Sequence, residues 1–419
     1  MGISFYYIQK YYLTSSREVQ RLDSVSRSPI YAHFGETLNG VSTVRSYGRE
    51  RDFVLMNYDM VDTNQKAYYI NVSSNRWLAV RLEFIGTNIL TFAALISVIS
   101  ATVFWDPADS AKHASLVGLS ISSALSITQV LNWCVRMNCT METNIVAVER
   151  IKEYTDMKRE APPITDVRPS EDWPRKGGIT FENVEMRYRE GLELILKGLN
   201  LHINENEKVG IVGRTGAGKS TITVCLFRLV ELASGRITID GMNIGDLGLE
   251  DLRSHLAIIP QDPVLFAGTM RDNLDPFQNY SDHEVWEALE QSHLAEFVRS
   301  SAEALSMEIT ENGENLSVGQ RQLVCMARAL LRKSSILVMD EATAAVDYTT
   351  DELIQETIRT SFKNCTVVTI AHRLNTIMDY DRILVMGAGK VLEYDAPGKL
   401  MQNPRSHFMR MVQESNNAK

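Results

Sequence analysis

Between Lys208 and Thr221 the chain reads Lys-Val-Gly-Ile-Val-Gly-Arg-Thr-Gly-Ala-Gly-Lys-Ser-Thr, and few stretches leave a polypeptide so little choice. Val209 to Val212 form a short buried strand, a glycine-rich turn follows, and a helix opens behind it. From Gly213 to Ser220 the spacing is G-x-x-x-x-G-K-[ST], the pattern of a phosphate-binding loop. Gly213, Gly216 and Gly218 let the backbone curl so that successive N–H groups of the loop, those of Arg214, Thr215 and Ala217 among them, converge on phosphate oxygens. The helix N-terminus beginning at Lys219, Ser220 and Thr221 adds its dipole from behind. Lys219 brings a mobile cation to the β- and γ-phosphates, and the Ser220 hydroxyl is placed to ligate Mg²⁺.

The rest of the chain divides around this loop. The sequence has 419 residues, room for two or three domains, and a net charge of −9, which argues against a nucleic-acid partner. Its five cysteines form no C-x-x-C pair and suit a reducing compartment. Upstream, Thr14 to about Asn75 is polar yet helical in pattern. Ser28-Pro29 offers an N-cap with proline at the first helical position, opening a short helix that Gly40 stops. Phe84–Trp105 and Ala114–Val135 carry no Asp, Glu, Lys or Arg, and each is long enough to cross a bilayer as a helix. The short link between them contains Pro107, which predicts a transmembrane hairpin. Arg76, Arg81, Arg136, Arg150 and Lys152 flank the pair against Lys112 alone in the link, so both ends are expected in the cytoplasm. Residues 156–177 hold four prolines and read as a linker. Beyond it, strand-like runs at Ile179–Val184, Val209–Val212, Arg236–Ile239, Leu256–Ile259, Ile336–Met339 and Thr366–Ile370 alternate with helical stretches. That pattern predicts an α/β domain with a largely parallel sheet, closed by a hairpin through Gly387–Gly389.

Two further motifs belong with the loop. Ser335 to Glu341 is an apolar strand ending in adjacent carboxylates. Asp340 is suited to hold Mg²⁺ through water and Glu341 to accept a proton from an attacking water. Glu314 to Leu323, Glu-Asn-Leu-Ser-Val-Gly-Gln-Arg-Gln-Leu, puts Ser317 and Gly319 where a helix begins, with Leu323, Met326, Ala327 and Leu330 at helical spacing behind them. Free N–H groups and a serine hydroxyl at a helix start make an anion site. On a separate helical lobe it would not reach this chain's own phosphate loop.

Leu316-Ser-Val-Gly-Gln320, just ahead of Ser335–Glu341 and Ala342–Asp347, resembles the nucleotide-binding domain of ABC transporters. With Ile259–Phe266, Gly319–Ala329 and Thr369–Met378 it resembles more closely the second such domain of subfamily C, the multidrug-resistance-associated proteins. The likeness extends upstream through Val25–Pro29, Asn64–Tyr69, Asn75–Glu83 and Met141–Arg150, nearly the whole chain. The resemblance implies a partial transmembrane domain over 1–155, holding the end of a fourth helix, the fifth and the sixth, with a coupling helix at about 29–39. An ABC ATPase domain over 178–419 would follow, with a RecA-like core, an antiparallel β subdomain and a helical subdomain. It implies ATP and Mg²⁺ as cofactors, Tyr188 as the aromatic on adenine, and Gln261 as a sensor of Mg²⁺ and water beside Ser220 and Asp340. His372 would be the switch near the γ-phosphate, with Glu341 and Lys219 completing the catalytic set, and Asp347 would signal across a dimer. Leu316, Ser317, Val318, Gly319 and Gln320 would face the phosphate loop of a second nucleotide-binding domain. Val318 stands where the general pattern has glycine.

In the membrane half, Arg81 is ionisable beside a span, and Asn132, Trp133 and Arg136 share one helix side. These four are candidate contacts for an organic-anion substrate; an interfacial Trp–Arg anchor is the plainer use of the same residues. The resemblance thus implies a multi-pass protein of the plasma membrane, its ATPase domain cytoplasmic, exporting organic anions and conjugates. A channel-regulating or ATP-sensing member of the same subfamily is the rival within the family, and a soluble ABC ATPase the rival outside it. Residues 1–419 alone are expected to bind ATP without transporting, as part of a longer exporter.

Overall fold

A computed structural model describes residues 2–103, 110–170, 172–342, 346–371 and 373–417. The chain separates into two units, Met1–Arg159 and Glu160–Lys419.

The first unit is helical: α1 (Gly2–Asn39), α2 (Val41–Ser46), α3 (Glu50–Val103) and α4 (Ser110–Thr155). Tyr12, Leu78, Leu82 and Val135 form its small apolar core. Polar bonds continue the α1–α3 contact. Asn64 Nδ2 donates to the Asp23 carbonyl (3.1 Å) and carboxylate (2.9 Å), Asn71 Nδ2 to Gln20 Oε1 (2.8 Å), and the Tyr12 hydroxyl to Asn75. Asn64, Asn71 and Asn75 recur on one helix face, which is why they meet the same neighbour.

One sequence expectation changes here. The helix does not restart at Pro29; α1 runs through it to Asn39. A proline in a helix interior loses one N–H donor, but contacts on both sides of it hold α1 against α3. Asn64 grips Asp23 before it, and after it His33 stacks on Phe53 at 5.3 Å with Nε2 3.1 Å from the Phe53 carbonyl. The segment 29–39 is therefore the last part of a long helix, and the short helix between the two long ones is α2. Among the described residues one helical stretch, within Glu50–Ser100, is long and apolar enough to cross a membrane, and Ala114–Ile127 in α4 is shorter. Residues 104–109, which include Pro107, lie outside the described residues, as do the side chains of residues 128, 131 and 132 in the second window.

In the second unit, the proline-rich stretch expected as a linker is largely packed. The Pro162 and Pro163 carbonyls accept from Leu249 and Glu250 N–H at 3.1 and 2.9 Å. Trp173 is buried and donates to the Ile239 carbonyl at 3.2 Å. The backbone N–H groups of Lys176, Gly177 and Gly178 all point at the Asp240 carboxylate.

The strands in chain order are β1 (Ile179–Met186), β2 (Leu196–Ile203), β3 (Lys208–Gly213), β4 (Ser234–Ile239), β5 (Met242–Asn243) and β6 (Leu256–Ile259). Then follow β7 (Gly268–Thr269), β8 (Glu308–Ile309), β9 (Ile336–Asp340), β10 (Thr366–Ile370), β11 (Arg382–Gly387) and β12 (Lys390–Asp395). An antiparallel sheet runs β2-β1-β4-β5, and the main sheet runs β12-β11-β3-β10-β9-β6, with every neighbour parallel except β12. Alternation sorts the main sheet's side chains into two layers. Val209, Ile211, Ile336, Val338, Val368, Ile370, Leu384 and Met386 join the core shared with the antiparallel sheet. Leu337, Met339 and Val367 join a second core under the helices Asp282–Gln291 and Val318–Arg332. A parallel sheet covered on both faces reads as continuous apolar runs, and these strands do.

Candidate nucleotide-binding site

β3 lies between β10 and β11, so its carboxyl end opens where the loops leaving the sheet converge, the usual place for a ligand in such a fold. At Gly213 φ is +155°, and a Cβ would stand 2.5 Å from the Met386 carbonyl oxygen, so the neighbouring strand leaves no room for a side chain. Gly218 (φ +98°) caps the helix α5 (Lys219–Leu226) in a left-handed conformation. The Ala217 carbonyl accepts from Gly389 N–H at 3.1 Å, so the β11–β12 turn braces the loop. Lys219 Nζ donates to the Gly213 carbonyl (3.0 Å) and lies 3.5 Å from that of Arg214. Tyr188, half-exposed, places its hydroxyl 3.3 Å from Thr221 Oγ1, which holds its ring beside the start of α5.

Across the sheet, Ser220 Oγ donates to Asp340 Oδ1 at 3.2 Å. Burial raises the Asp340 pKa above the usual carboxylate range; the Ser220 bond and Lys219 oppose that, and Glu341 adds to it. A carboxylate so placed gains from a nearby cation. The Ser220 hydroxyl and the Asp340 carboxylate are oxygen donors of the kind that suits Mg²⁺ held with phosphate oxygens. No group of three or more His, Cys, Asp or Glu that could hold a metal occurs among the described residues. Glu341 has φ +46°, left-handed for a residue that is not glycine. Its N–H donates to the Ile370 carbonyl at 3.0 Å. This turn ends β9 and takes Glu341 off the strand's alternation.

Gln261 follows β6, the strand beside β9, and is exposed. Its carbonyl and that of Pro260 both accept from Gln322 Nε2, at 3.0 and 3.1 Å. Leu316 is buried; Ser317 caps the helix Val318–Arg332 through a capping box, its Oγ accepting from Gln320 N–H (3.1 Å) and its N–H donating to Gln320 Oε1 (2.9 Å). Gly319 is buried against Asp347, where a Cβ would come 3.0 Å from Thr350 Oγ1 and 3.3 Å from Asp347 Oδ1. Asp347 caps the helix Tyr348–Thr360, accepting from the Thr349 hydroxyl and from Thr350 N–H (3.0 Å) and Oγ1 (2.9 Å). These bonds, that of Thr349 first, hold its pKa down at about 2. His372 lies outside the described residues. On either side of it Ala371 N–H donates to the Ile211 carbonyl (3.0 Å), and Arg373 reaches Asp351 (3.3 Å) and the Val346 carbonyl (3.0 Å).

The membrane-half candidates are less gathered. Arg81 stacks its guanidinium over the Trp77 ring at 5.5 Å. Trp133 on α4 is exposed, and the side chains of Asn132 and Arg136 lie outside the described residues. Gln322 and Arg373 carry no local motif in the sequence. The available signal for Gln322 was its place among Leu323, Met326 and Ala327 on the buried side of an amphipathic helix, where a polar side chain needs a partner.

Residues 196–344 match the family described as ABC transporter, and residues 1–103 match the ABC transporter transmembrane region. ATP-binding cassette sub-family C member 3 of Homo sapiens is 54% identical over 416 residues, 99% of this chain and 27% of that protein. Metal resistance protein YCF1 of Saccharomyces cerevisiae is 54% identical over 417 residues, 99% of this chain and 27% of that protein. The chain thus spans about a quarter of the length of these relatives. A solved structure of a bacterial Atm1-family ABC exporter with ATP bound aligns with a TM-score of 0.87 at 26% identity, covering 99% of this chain and 71% of that one.

Proposed function

From the premise that the chain belongs to subfamily C of the ABC transporters, we propose that it is the ATP-binding and hydrolysing part of an exporter of organic anions and conjugates. The observation that carries this reading is the meeting of Lys219, Ser220, Asp340 and Glu341 at the carboxyl ends of β3 and β9. Lys219 now bonds two loop carbonyls; on nucleotide binding its ammonium would turn to the β- and γ-phosphates, and the loop N–H groups would take the remaining oxygens. Ser220, Asp340 and Gln261 would hold Mg²⁺, whose chemistry is to neutralise charge building on the phosphates. Glu341 would accept the proton of the attacking water, and Tyr188 would stack on the base. His372 and Asp347 complete the set by position in the family pattern. Leu316–Gln320, with Ser317 capping an exposed helix start, would close on the phosphate loop of a second nucleotide-binding domain.

The substrate would meet Arg81, Asn132, Trp133 and Arg136. A plasma-membrane location with the ATPase domain in the cytoplasm follows from the same reading. It is tested by uptake of a glutathione conjugate into inside-out vesicles carrying the chain with a partner half. ATP is expected to drive uptake, and a non-hydrolysable analogue is not; equal uptake with both would overturn the proposal.

A further inference from the structure

Gln322 sits on the buried side of the helix Val318–Arg332, 1% exposed, five residues past the cap at Ser317. Its single Nε2 donates to the carbonyls of Pro260 and Gln261 at 3.1 and 3.0 Å, while its Oε1 is buried with no hydrogen-bond partner among the described residues. The two carbonyls decide the amide's orientation, because the reverse rotamer would press Oε1 against both of them. An unpaired buried acceptor is costly, and a leucine or methionine would avoid that cost while filling similar volume. The polar side chain therefore secures something that apolar packing would not: a fixed distance between the helix carrying Ser317–Gln320 and the backbone of Gln261. Arg328, two turns on, extends the same strap, with Nη1 on the Val264 carbonyl (2.9 Å) and Nε on that of Asn273 (2.6 Å).

We infer that Gln322 is a positioning residue that makes the loop bearing Gln261 and the helix start at Ser317–Gln320 move as one body, so that metal capture at Gln261 and the placing of that helix start are a single event. This rests on the proposed reading of Gln261 as a metal-facing residue. Gln322 itself touches neither nucleotide nor metal; it acts through the Gln261 backbone.

The test is Mn²⁺ binding, read by electron paramagnetic resonance on the ATP-loaded full chain, in Gln322→Met, Gln261→Ala and the double variant. Gln322→Met is expected to weaken Mn²⁺ about tenfold, as two lost hydrogen bonds near the site would. Gln261→Ala should do about the same, and the double variant little more than either alone, because coupled residues are not additive. Parent-like Mn²⁺ affinity in Gln322→Met, or strict additivity, would overturn the inference. Hydrogen exchange on the unsubstituted protein tests it even if the variant fails to fold. The amides of residues 261–266 and 318–322 should change protection together when ATP and Mn²⁺ are added, and independent changes would overturn it. Lys219→Ala separates the two levels: undiminished ATP binding there would remove the nucleotide-site reading itself, whatever Gln322 does.

Discussion

Glu341 carries both a chemical task and a conformational cost. Its φ of +46° is unfavourable for a residue with a Cβ, and such strain concentrates where function requires it. Glu341→Gly should therefore raise stability by about 1 kcal/mol while abolishing ATP turnover; a lower thermal midpoint, or retained turnover, would contradict this. Gly213 is the opposite case. With the Met386 carbonyl 2.5 Å from where a Cβ would stand, Gly213→Ala should cost about 2 kcal/mol or more and weaken nucleotide binding, read by thermal midpoint and by ATP titration. Asp347 supplies a pH signature. Its bonds to Thr349 and Thr350 lower its pKa from 3.8 to about 2 in the folded state. Its contribution to stability is thus complete above the unfolded value and is lost as pH falls from about 3.8 towards 2. The difference in thermal midpoint between parent and Asp347→Ala should be full at pH 7 and shrink below pH 4. The loop spacing of Gly213 to Ser220 was legible in the sequence because each residue type has one use there. The left-handed turn at Glu341 was not, because the Ile370 carbonyl on a neighbouring strand holds it.

Among the elements, the buried strands of the main sheet were legible as apolar runs. β2 was not, because Leu196, Leu199, Leu201 and Ile203 point inward with one extra residue between the first two. A register shift in its pairing with β1 absorbs that residue, and strict alternation is the signal it breaks. In the helical unit, local punctuation misled. Ser28-Pro29 has the chemistry of a helix start, but contacts to α3 on both sides carry α1 through it, and tertiary packing outweighed propensity. The Asn64–Asp23 contact is central to that packing, with Asp23 4% and Asn64 9% exposed. Asn64→Leu removes two donated bonds to Asp23 and should cost about 1–3 kcal/mol, seen as a lower thermal midpoint in detergent; an unchanged midpoint would mean that α1 is held elsewhere.

At the scale of the whole molecule, the two-part organisation was legible in the contrast between charge-free windows upstream and strand–helix alternation downstream. What residue patterns left out was how the parts of the second unit are strapped together. Trp173 ties the proline-rich stretch to the antiparallel sheet, Gln322 ties a helix to the loop after β6, and Arg373 ties the segment after β10 to Asp351. Each is a long-range contact with no local spacing to announce it. The phosphate loop, Asp340 and Glu341 are proposed to form a hydrolytic ATP site. The most direct measurement is the chemical state of nucleotide retained by membranes carrying the parent or Glu341→Gln after incubation with radiolabelled ATP and Mg²⁺. The parent is expected to retain mainly ADP and the variant intact ATP at similar occupancy, with turnover reduced at least about 100-fold. ADP formed by the variant at the parent's rate would contradict a catalytic role for Glu341.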